Sequence, residues 1–204
     1  MLIFSQISRR YFKGFTLIEL LVVLAIMLFI TMAFLVRQQK FDSSTILRSL
    51  AYSVALSVRQ AQVYGTSVRE NTPGSFAAGT AASSYGICWS SGNKTGFTLF
   101  ADANNNGACD SGETVQSITL NNGYLITQFC ATRNTSLTRC STDTLTSLAI
   151  LFKRPNPDAI ISTNISGESY ASAKIQITGP GGDTRSVTIS ATGQITVGAL
   201  GTYL

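Results

Sequence analysis

An uninterrupted apolar run near the N-terminus constrains this chain more than any other feature. Residues 15–36 read FTLIELLVVLAIMLFITMAFLV, which is 22 residues with one charge, Glu19. As a helix this run would be ~33 Å long, enough to cross the hydrocarbon core of a bilayer. Arg9, Arg10 and Lys13 precede it, so we expect that end to stay in the cytoplasm and the rest of the chain to lie across the membrane.

A secretory signal peptide is the competing interpretation of this run. Such a signal has a shorter apolar core followed by a small-residue cleavage site. Here the run is too long, and no Ala-x-Ala spacing follows it. Gly14 instead stands before the run, next to Lys13, so a cut at the cytoplasmic face would leave the apolar helix on the mature protein.

The stretch KGFTLIEL, residues 13–20, closely resembles the prepilin processing site of type IV pilins and type II secretion pseudopilins. The resemblance implies cleavage after Gly14, N-methylation of Phe15 and assembly of the apolar helix into a filament core. It also implies that Glu19 pairs with the new amino group of Phe15 on a neighbouring subunit. The alternative is a carboxylate that reaches the lipid headgroups, since Glu19 lies only ~6 Å along the helix axis. We favour pairing because an acid inside a membrane is expensive and usually functional.

The helical pattern continues beyond the apolar run. No glycine or proline interrupts residues 15–64, and apolar residues recur at helical spacing after Arg37. This predicts one helix of about 50 residues, apolar in its first half and amphipathic in its second. The alternative is a second helix capped by Ser43 or Ser44 after a loop at 42–44. Many pilins have a proline near the position of Val36, so a mechanism that needs a helix break there is in doubt for this chain.

After residue 70 the sequence changes to short β-branched and aromatic runs between turn residues. These predict strands at 85–89, 96–101, 115–120, 124–129, 148–153, 174–178, 186–190 and 194–197, with a loop at 75–84, a turn at 154–158 and a hairpin turn at 191–193. The predicted class is α+β, with the long N-terminal helix packed on an antiparallel β-rich domain. The predicted divisions are leader 1–14, membrane or filament-core helix 15–36, amphipathic helix 37–69 and globular domain 70–204.

This order of elements, with the motifs LFADANNNGACDSGE and ILFKRPNPDAI, resembles the minor pilins and pseudopilins of the GspH/FimT type. The resemblance implies a subunit stored in the inner membrane by one span, with its C-terminal domain in the periplasm, and located in the pilus after assembly. The implied partners are other minor and major pilins, the prepilin peptidase and the inner membrane.

Four cysteines, Cys88, Cys109, Cys130 and Cys140, all follow the predicted span. The predicted orientation places them in an oxidising compartment, which favours two disulfides over four free thiols. Of the three possible pairings we favour Cys130–Cys140, a short loop closure, together with Cys88–Cys109. A zinc site is disfavoured because there is no C-x-x-C spacing and no histidine.

Residues 102–113 match the spacing of a twelve-residue calcium loop. Asp102, Asn104, Asn106, Asp110 and Glu113 would occupy positions 1, 3, 5, 9 and 12, and a glycine stands at position 6. The predicted flanking elements are strands rather than helices, however, and Cys109 lies inside the loop. Asp, Asn and Gly also build tight turns through their own side-chain hydrogen bonds. We therefore favour a plain turn, and keep calcium as the alternative ligand and the only candidate cofactor.

Composition and charge exclude several functions. The chain has no histidine, which removes His-based triads and His metal ligands. No phosphate loop or dinucleotide fingerprint is present, so we predict no catalytic residues and no enzyme activity. Some relatives of the GspH/FimT type bind DNA through arginines in a Gly-Arg-x-Arg motif near the C-terminal hairpin. The matching stretch here is Gly193-Gln194-Ile195-Thr196, and Lys174 and Arg185 nearby do not form a cluster, so DNA is a disfavoured partner.

These observations predict a structural subunit, a minor type IV pilin that is incorporated in the pilus or primes its assembly. Pilus biogenesis and twitching motility, with DNA uptake as a further role, are the processes that the resemblance implies. The first alternative is a minor pseudopilin of a type II secretion system. The second alternative is a DNA-binding minor pilin that serves natural transformation.

Overall fold

The computed structural model of the chain describes residues 14–67, 84–134 and 137–198, without the side chains of residues 36–42. The predicted leader residues Arg9, Arg10 and Lys13 lie outside this range, as does most of the predicted loop at 75–84. The chain divides into two compact units, Met1–Phe41 and Asp42–Leu204. The helix spans both units as one secondary-structure element, and all described strands belong to the second.

Helix α1 extends from Leu17 to Thr66, a single helix of 50 residues. The alternative of a second helix that begins near Ser43 is therefore wrong. From Ser43 onward the helix is amphipathic and buries a stripe at spacings of three and four residues: Leu47, Ala51, Val54, Val58 and Ala61. This stripe supplies the helical side of the domain core.

Within the described residues, ten antiparallel strands form two five-stranded sheets. The first sheet has the order β3-β2-β1-β6-β7 and the second the order β10-β9-β8-β4-β5. The strands are β1 Ser84–Ser90, β2 Gly96–Asp102, β3 Thr114–Thr119, β4 Leu125–Thr132, β5 Thr138–Cys140, β6 Ser147–Lys153, β7 Ala159–Thr163, β8 Ser172–Thr178, β9 Thr184–Ser190 and β10 Ile195–Val197. The structure thus has the predicted α+β, pilin-like fold, and adds two strands, β5 and β7, that the sequence pattern did not indicate.

The core of the second unit lies between the two sheets and the amphipathic part of α1. Alternate side chains of each central strand point into it, including Ile87 and Trp89 of β1, Ile150 of β6 and Ile175 of β8. Each such burial contributes roughly 1.5–3 kcal/mol relative to exposure. The ring of Trp89 packs beside Phe97, with 5.9 Å between ring centroids. One continuous apolar cluster therefore holds the helix and both sheets together.

The C-terminal end of α1 is fixed closely against the strands. The side-chain amide of Gln62, which is buried, donates to the carbonyl oxygens of Pro157 at 2.7 Å and Gly193 at 3.3 Å. A Cβ atom at position 65 would overlap the backbone carbonyl of Phe152, so the close approach there requires the glycine that the sequence provides. These contacts join the helix to the β6–β7 turn and the β9–β10 turn.

The loop between β2 and β3 crosses the outer face of the first sheet. It is joined to β1 by the Cys88–Cys109 disulfide and to β6 by a hydrogen bond of 3.1 Å from Lys153 Nζ to Asn105 Oδ1. A second apolar cluster, formed by Phe100, Ala149 and Leu151 with Cys88 against them, lies on this outer face. The residues that match the calcium pattern, 102–113, therefore belong to an ordered loop that lies over the outer face of the first sheet.

Candidate functional site at the N-terminus

The predicted processing site lies immediately before α1. Gly14 and Phe15 are outside the helix, which begins at Leu17. Thr16 caps the helix, because its Oγ1 accepts the backbone N–H of Glu19 at 3.3 Å and its carbonyl accepts that of Leu20 at 3.2 Å. The bond between Gly14 and Phe15 is therefore in a non-helical segment, the form in which a peptidase can bind a chain.

The glycine at position 14 has no steric role among the residues that the structure describes. It is exposed, and a Cβ added there would meet no atom within 4 Å. A side chain at this position would leave the described structure unchanged. The described fold therefore gives no reason for a glycine at this position.

Glu19 lies in the first turn of α1 and is exposed. An acidic side chain is favoured there because the unsatisfied N–H groups of the first turn carry a partial positive charge. The Thr16 and Glu19 pair also has the spacing of a capping box, a local signal that our sequence analysis did not use. Within the apolar segment Leu17–Leu35, Glu19 is the one charged residue.

The segment Leu17–Leu35 is long and apolar enough to cross a membrane, with a mean hydropathy of 2.8, and none of it is buried within the chain. Its large side chains are at least half exposed, from Val22 at 50% to Leu17 at 78%. The hydroxyl of Thr31 donates to the carbonyl of Met27 at 2.9 Å, so this polar group is satisfied inside the helix. An exposed apolar surface of this size is typical of a segment that is covered by an apolar environment.

The comparisons with known proteins agree with this arrangement. The family described as Prokaryotic N-terminal methylation motif matches residues 9–35, the interval that contains Gly14, Phe15, Glu19 and the apolar helix. The chain is pilin-like. No curated protein and no solved structure matches the chain. The motif supports a type IV pilin or pseudopilin in general, and the apolar helix is consistent with the single-pass membrane anchor of such proteins.

The calcium-pattern residues lie far along the chain from this site, in the loop between β2 and β3. Asp102, 1% exposed, accepts the backbone N–H groups of Asn106 and Gly107 at 3.1 Å each. Glu113, 4% exposed, accepts those of Ala103 at 3.0 Å and Asp110 at 3.3 Å. These two carboxylates therefore bind the backbone of their own loop, as carboxylates in a tight turn do.

The remaining members of the pattern bind one another. Asp110 Oδ2 accepts the side-chain amides of Asn104 at 2.9 Å and Asn106 at 2.7 Å, and these hydrogen bonds lower the pKa of Asp110. Among the described residues, no group of three or more His, Cys, Asp or Glu side chains is arranged to hold a metal ion. Calcium binding stays a prediction of the sequence pattern, and the turn stays the interpretation that we favour.

The four cysteines form the two favoured pairs. Cys88 of β1 is bonded to Cys109 of the covering loop, and Cys130 of β4 is bonded to Cys140 of β5, its partner in the strand register. Both disulfides lie outside the apolar segment. They tie a loop and an edge strand, respectively, to the interior of their sheets.

The C-terminal hairpin contains the stretch that we compared with the DNA-binding motif. Gly193 lies in the β9–β10 turn with a φ of 77°, and Gln194 and Ile195 follow it. Arg185 of β9 donates to the carbonyl of Gly198 at 3.5 Å, while Lys174 is exposed on β8. The uncharged residues at the turn therefore leave this hairpin without the paired arginines of the motif.

An ion-pair cluster that the sequence analysis missed lies beside the second sheet. Glu168 accepts from Arg139 at 2.9 Å and from Arg133 at 3.3 Å, and the hydroxyl of Tyr170 donates to it at 2.6 Å. The hydrogen bonds from Arg139 and Tyr170, helped by both arginine charges, lower the pKa of Glu168 to about 2. Burial, with the hydrogen bond to Glu168, raises the pKa of Tyr170. The cluster fixes the β4–β5 hairpin to the segment before β8.

Proposed function

We propose that the chain is a minor type IV pilin, a structural subunit that enters the pilus or primes its assembly and that has no enzymatic activity. The observation that carries this proposal is the exposed apolar helix with Glu19 in its first turn, directly after the Gly14-Phe15 junction and within the matched motif. Exposing such an apolar surface to water is energetically unfavourable. In this proposal lipid covers it before assembly, and the helices of other pilins cover it in the filament.

Processing would convert the N-terminus into a charged group. Hydrolysis of the Gly14–Phe15 bond by the prepilin peptidase frees the amino group of Phe15, and methylation of that nitrogen keeps its positive charge. In an apolar filament core this cation is expensive unless it is paired, and the same is true of the Glu19 carboxylate. Pairing Glu19 of one subunit with the amino group of Phe15 of its neighbour would neutralise both buried charges. It would also set the position of one helix along the other.

The rest of the chain fits a domain on the periplasmic side of the inner membrane. Two disulfides are consistent with an oxidising compartment. The domain buries a continuous core of its own. We expect its surface to contact other minor and major pilins. After assembly, the same domain would be part of the pilus.

The intact mass of the protein extracted from membranes tests the processing step. We expect a chain that begins at Phe15 and carries one methyl group and two disulfides. Gly14→Leu should remain unprocessed while its domain melts as wild type does, because a side chain at position 14 would contact none of the described residues. An N-terminus at Met1 in the wild-type protein, or a protein cut after the apolar run, would contradict the proposal.

Glu19 is tested separately from processing. Glu19→Ala should be cleaved normally and yet enter filaments poorly, whereas Thr31→Ala, in the same helix, should assemble as wild type does. If Glu19→Ala and wild type are recovered equally in sheared pili, the pairing role of Glu19 is wrong.

A pseudopilin of a type II secretion system is the second candidate, because the matched methylation motif is common to both classes. The mechanics of the helix would be the same and the filament would be shorter. A deletion strain separates the two candidates. Loss of twitching with intact secretion supports the pilin, and loss of secretion with intact pili supports the pseudopilin.

A further inference from the structure

The two disulfides of the domain lie in different surroundings. Cys130–Cys140 joins β4 to the edge strand β5, and both of its cysteines line an open recess of about 300 Å³ on the second sheet. Cys88–Cys109 joins β1 to the loop between β2 and β3. Exchange between a disulfide and a thiol depends on access to the sulfur under attack and on the thiol that leaves. The two bonds should therefore differ in reactivity.

A lysine lies beside the first of these disulfides. In the strand register Cys130 is opposite Cys140 on one side and opposite Lys174 of β8 on the other. Side chains directly opposite each other share a face of the sheet, with Cβ atoms ~5 Å apart, and all three residues line the recess. No acidic side chain lines the recess, and Lys174 forms no ion pair among the described residues. Its ammonium group is therefore available to stabilise a negative charge on the sulfur of Cys130.

The position of β5 determines which sulfur a thiol can attack. Attack on a disulfide proceeds in line with the sulfur–sulfur bond. Because β5 is the edge of the second sheet, the line through Cys140 leads away from the sheet, whereas the line through Cys130 leads toward β8. Cys130 is also the less accessible of the pair, at 9% exposed. An incoming thiolate should therefore attack Cys140 and release Cys130.

Cys88–Cys109 lacks these features. Cys109 is exposed, so a thiol would attack Cys109 and Cys88 would leave. Cys88, however, packs against the second apolar cluster on the outer face of the first sheet, and apolar surroundings disfavour a thiolate. The carboxylate of Asp110, the residue after Cys109, also repels an approaching anion. Both the attack and the departure of the leaving thiolate are therefore disfavoured at this bond.

We propose that Cys140 is a site of modification by low-molecular-weight thiols, through exchange at Cys130–Cys140, while Cys88–Cys109 stays intact. The sulfur of a thiolate such as that of glutathione bonds to Sγ of Cys140, and the Sγ–Sγ bond breaks. Its electron pair goes to Sγ of Cys130, which leaves as a thiolate beside the ammonium group of Lys174. The product is a mixed disulfide at Cys140, and the reverse attack by Cys130 restores the original bond and releases the thiol.

Noncovalent contacts hold β5 in place after exchange. Arg139 of this strand keeps its ion pair with Glu168 at 2.9 Å, and the hydroxyl groups of Thr138 and Thr132 are 3.1 Å apart. The modified chain should therefore stay folded. The inference goes beyond the proposed function and does not depend on it.

Peptide mapping of the full-length chain in detergent tests the choice of disulfide and of sulfur. The protein is incubated with reduced glutathione, and the exchange is stopped with N-ethylmaleimide, which marks every free thiol. We expect glutathione on Cys140 and the maleimide on Cys130, several-fold sooner than any change at Cys88–Cys109. Equal rates at the two disulfides, glutathione mainly on Cys130, or no exchange at Cys130–Cys140 would overturn the proposal.

Substitutions at position 174 test the role of the charge. Lys174→Met should slow the exchange several-fold, and Lys174→Arg should preserve most of the rate because it keeps the positive charge. Lys94→Met, which removes an exposed charge in the turn between β1 and β2, is the matched control and should react as wild type does. Circular dichroism verifies that the variants are folded.

A second thiol separates stabilisation of the leaving thiolate from attraction of a charged reagent. Glutathione carries carboxylates, whereas 2-mercaptoethanol has no charge apart from its thiolate. Lys174→Met should slow exchange with both thiols. An unchanged rate in Lys174→Met, or an effect that is present only with glutathione, would contradict the proposed action of Lys174 on the leaving sulfur.

Discussion

The two parts of α1 have the same secondary structure but differ in how their apolar side chains are covered. Residues in Leu17–Leu35 are exposed on every side of the helix, whereas the part after Ser43 buries a stripe in which Leu47, Ala51 and Val58 are wholly inaccessible. The second part finds its apolar partners within the chain. The first part has none among the described residues, and in the proposed function lipid and other subunits supply them. The comparison teaches that this chain separates a self-sufficient domain from a segment whose stability is completed by partners.

A pair of leucine truncations gives the largest expected effect. Leu47→Ala should lower the free energy of unfolding of the domain by roughly 2–5 kcal/mol, because it leaves a cavity in a close-packed core. Leu24→Ala removes the same atoms from a side chain that is 53% exposed, and should leave the domain unchanged. Thermal melts of both variants in the same detergent provide the measurement. A destabilised Leu24→Ala domain would break the comparison.

A pair of carboxylate substitutions gives the next effect. Glu113→Gln should destabilise the domain by about 1–3 kcal/mol, because an amide replaces an acceptor that binds backbone N–H groups of the loop. Glu19→Gln should leave the melting temperature unchanged and reduce recovery in pili. Chemical denaturation measures the first effect, and immunoblots of sheared filaments measure the second. Equal stability of wild type and Glu113→Gln would show that the loop is held by other contacts.

The pH dependence of the domain gives a smaller effect. The pKa of Glu168 is lowered from 4.5 to about 2 in the folded chain, so its contribution to stability is complete above pH 4.5 and is lost as the pH falls toward 2. Wild type should therefore melt at a higher temperature than Glu168→Gln at pH 7, and the two should converge between pH 4.5 and 2.

Asp143→Asn, which changes an exposed carboxylate on the same domain, is the control for general charge effects. It should follow wild type across the whole pH range. A difference between wild type and Glu168→Gln that persists at pH 2 would show that the charge of Glu168 is not what stabilises the cluster.

Calcium should have no effect on the domain. The oxygens of Asp102 and Glu113 already accept N–H groups of their own loop. We therefore expect the domain to have the same melting temperature in calcium as in a chelator. Differential scanning calorimetry with each addition is the measurement. A ligand that binds only the folded state raises the melting temperature as its concentration increases. A melting temperature that rises with calcium concentration would therefore support a metal site, and the domain, like the apolar helix, would then be stabilised by a partner.

Local patterns predicted most of this structure, and nonlocal contacts explain what they missed. The apolar run, the start of the helix and the alternating strands depend on neighbouring residues, so their types were predictable. Their predicted ends differ from the observed ones by at most three residues. β5 has three residues, too few to show an alternating pattern, and it is held in part by the Arg139–Glu168 ion pair, whose residues are 29 positions apart. β7 begins two residues after Pro157, where turn residues dominate the pattern.

The same distinction applies to the candidate site. Gly14, Phe15 and Glu19 lie within six residues of one another, which is why a single chain shows them together. The Glu168 cluster could not be anticipated, since Arg133 and Arg139 are 35 and 29 residues away from it along the chain. The capping role of Thr16 could have been predicted, because the Thr-x-x-Glu spacing of a capping box is visible in the sequence.

The position of Trp89 has a practical consequence. It is the single tryptophan of the chain, 2% exposed in the core of the second unit, and the apolar helix contains none. Its ultraviolet emission therefore reports on the globular part alone, without a label and without interference from detergent around the anchor. An optical signal of this kind can distinguish a subunit that has lost its tertiary structure from one that has merely lost its neighbours.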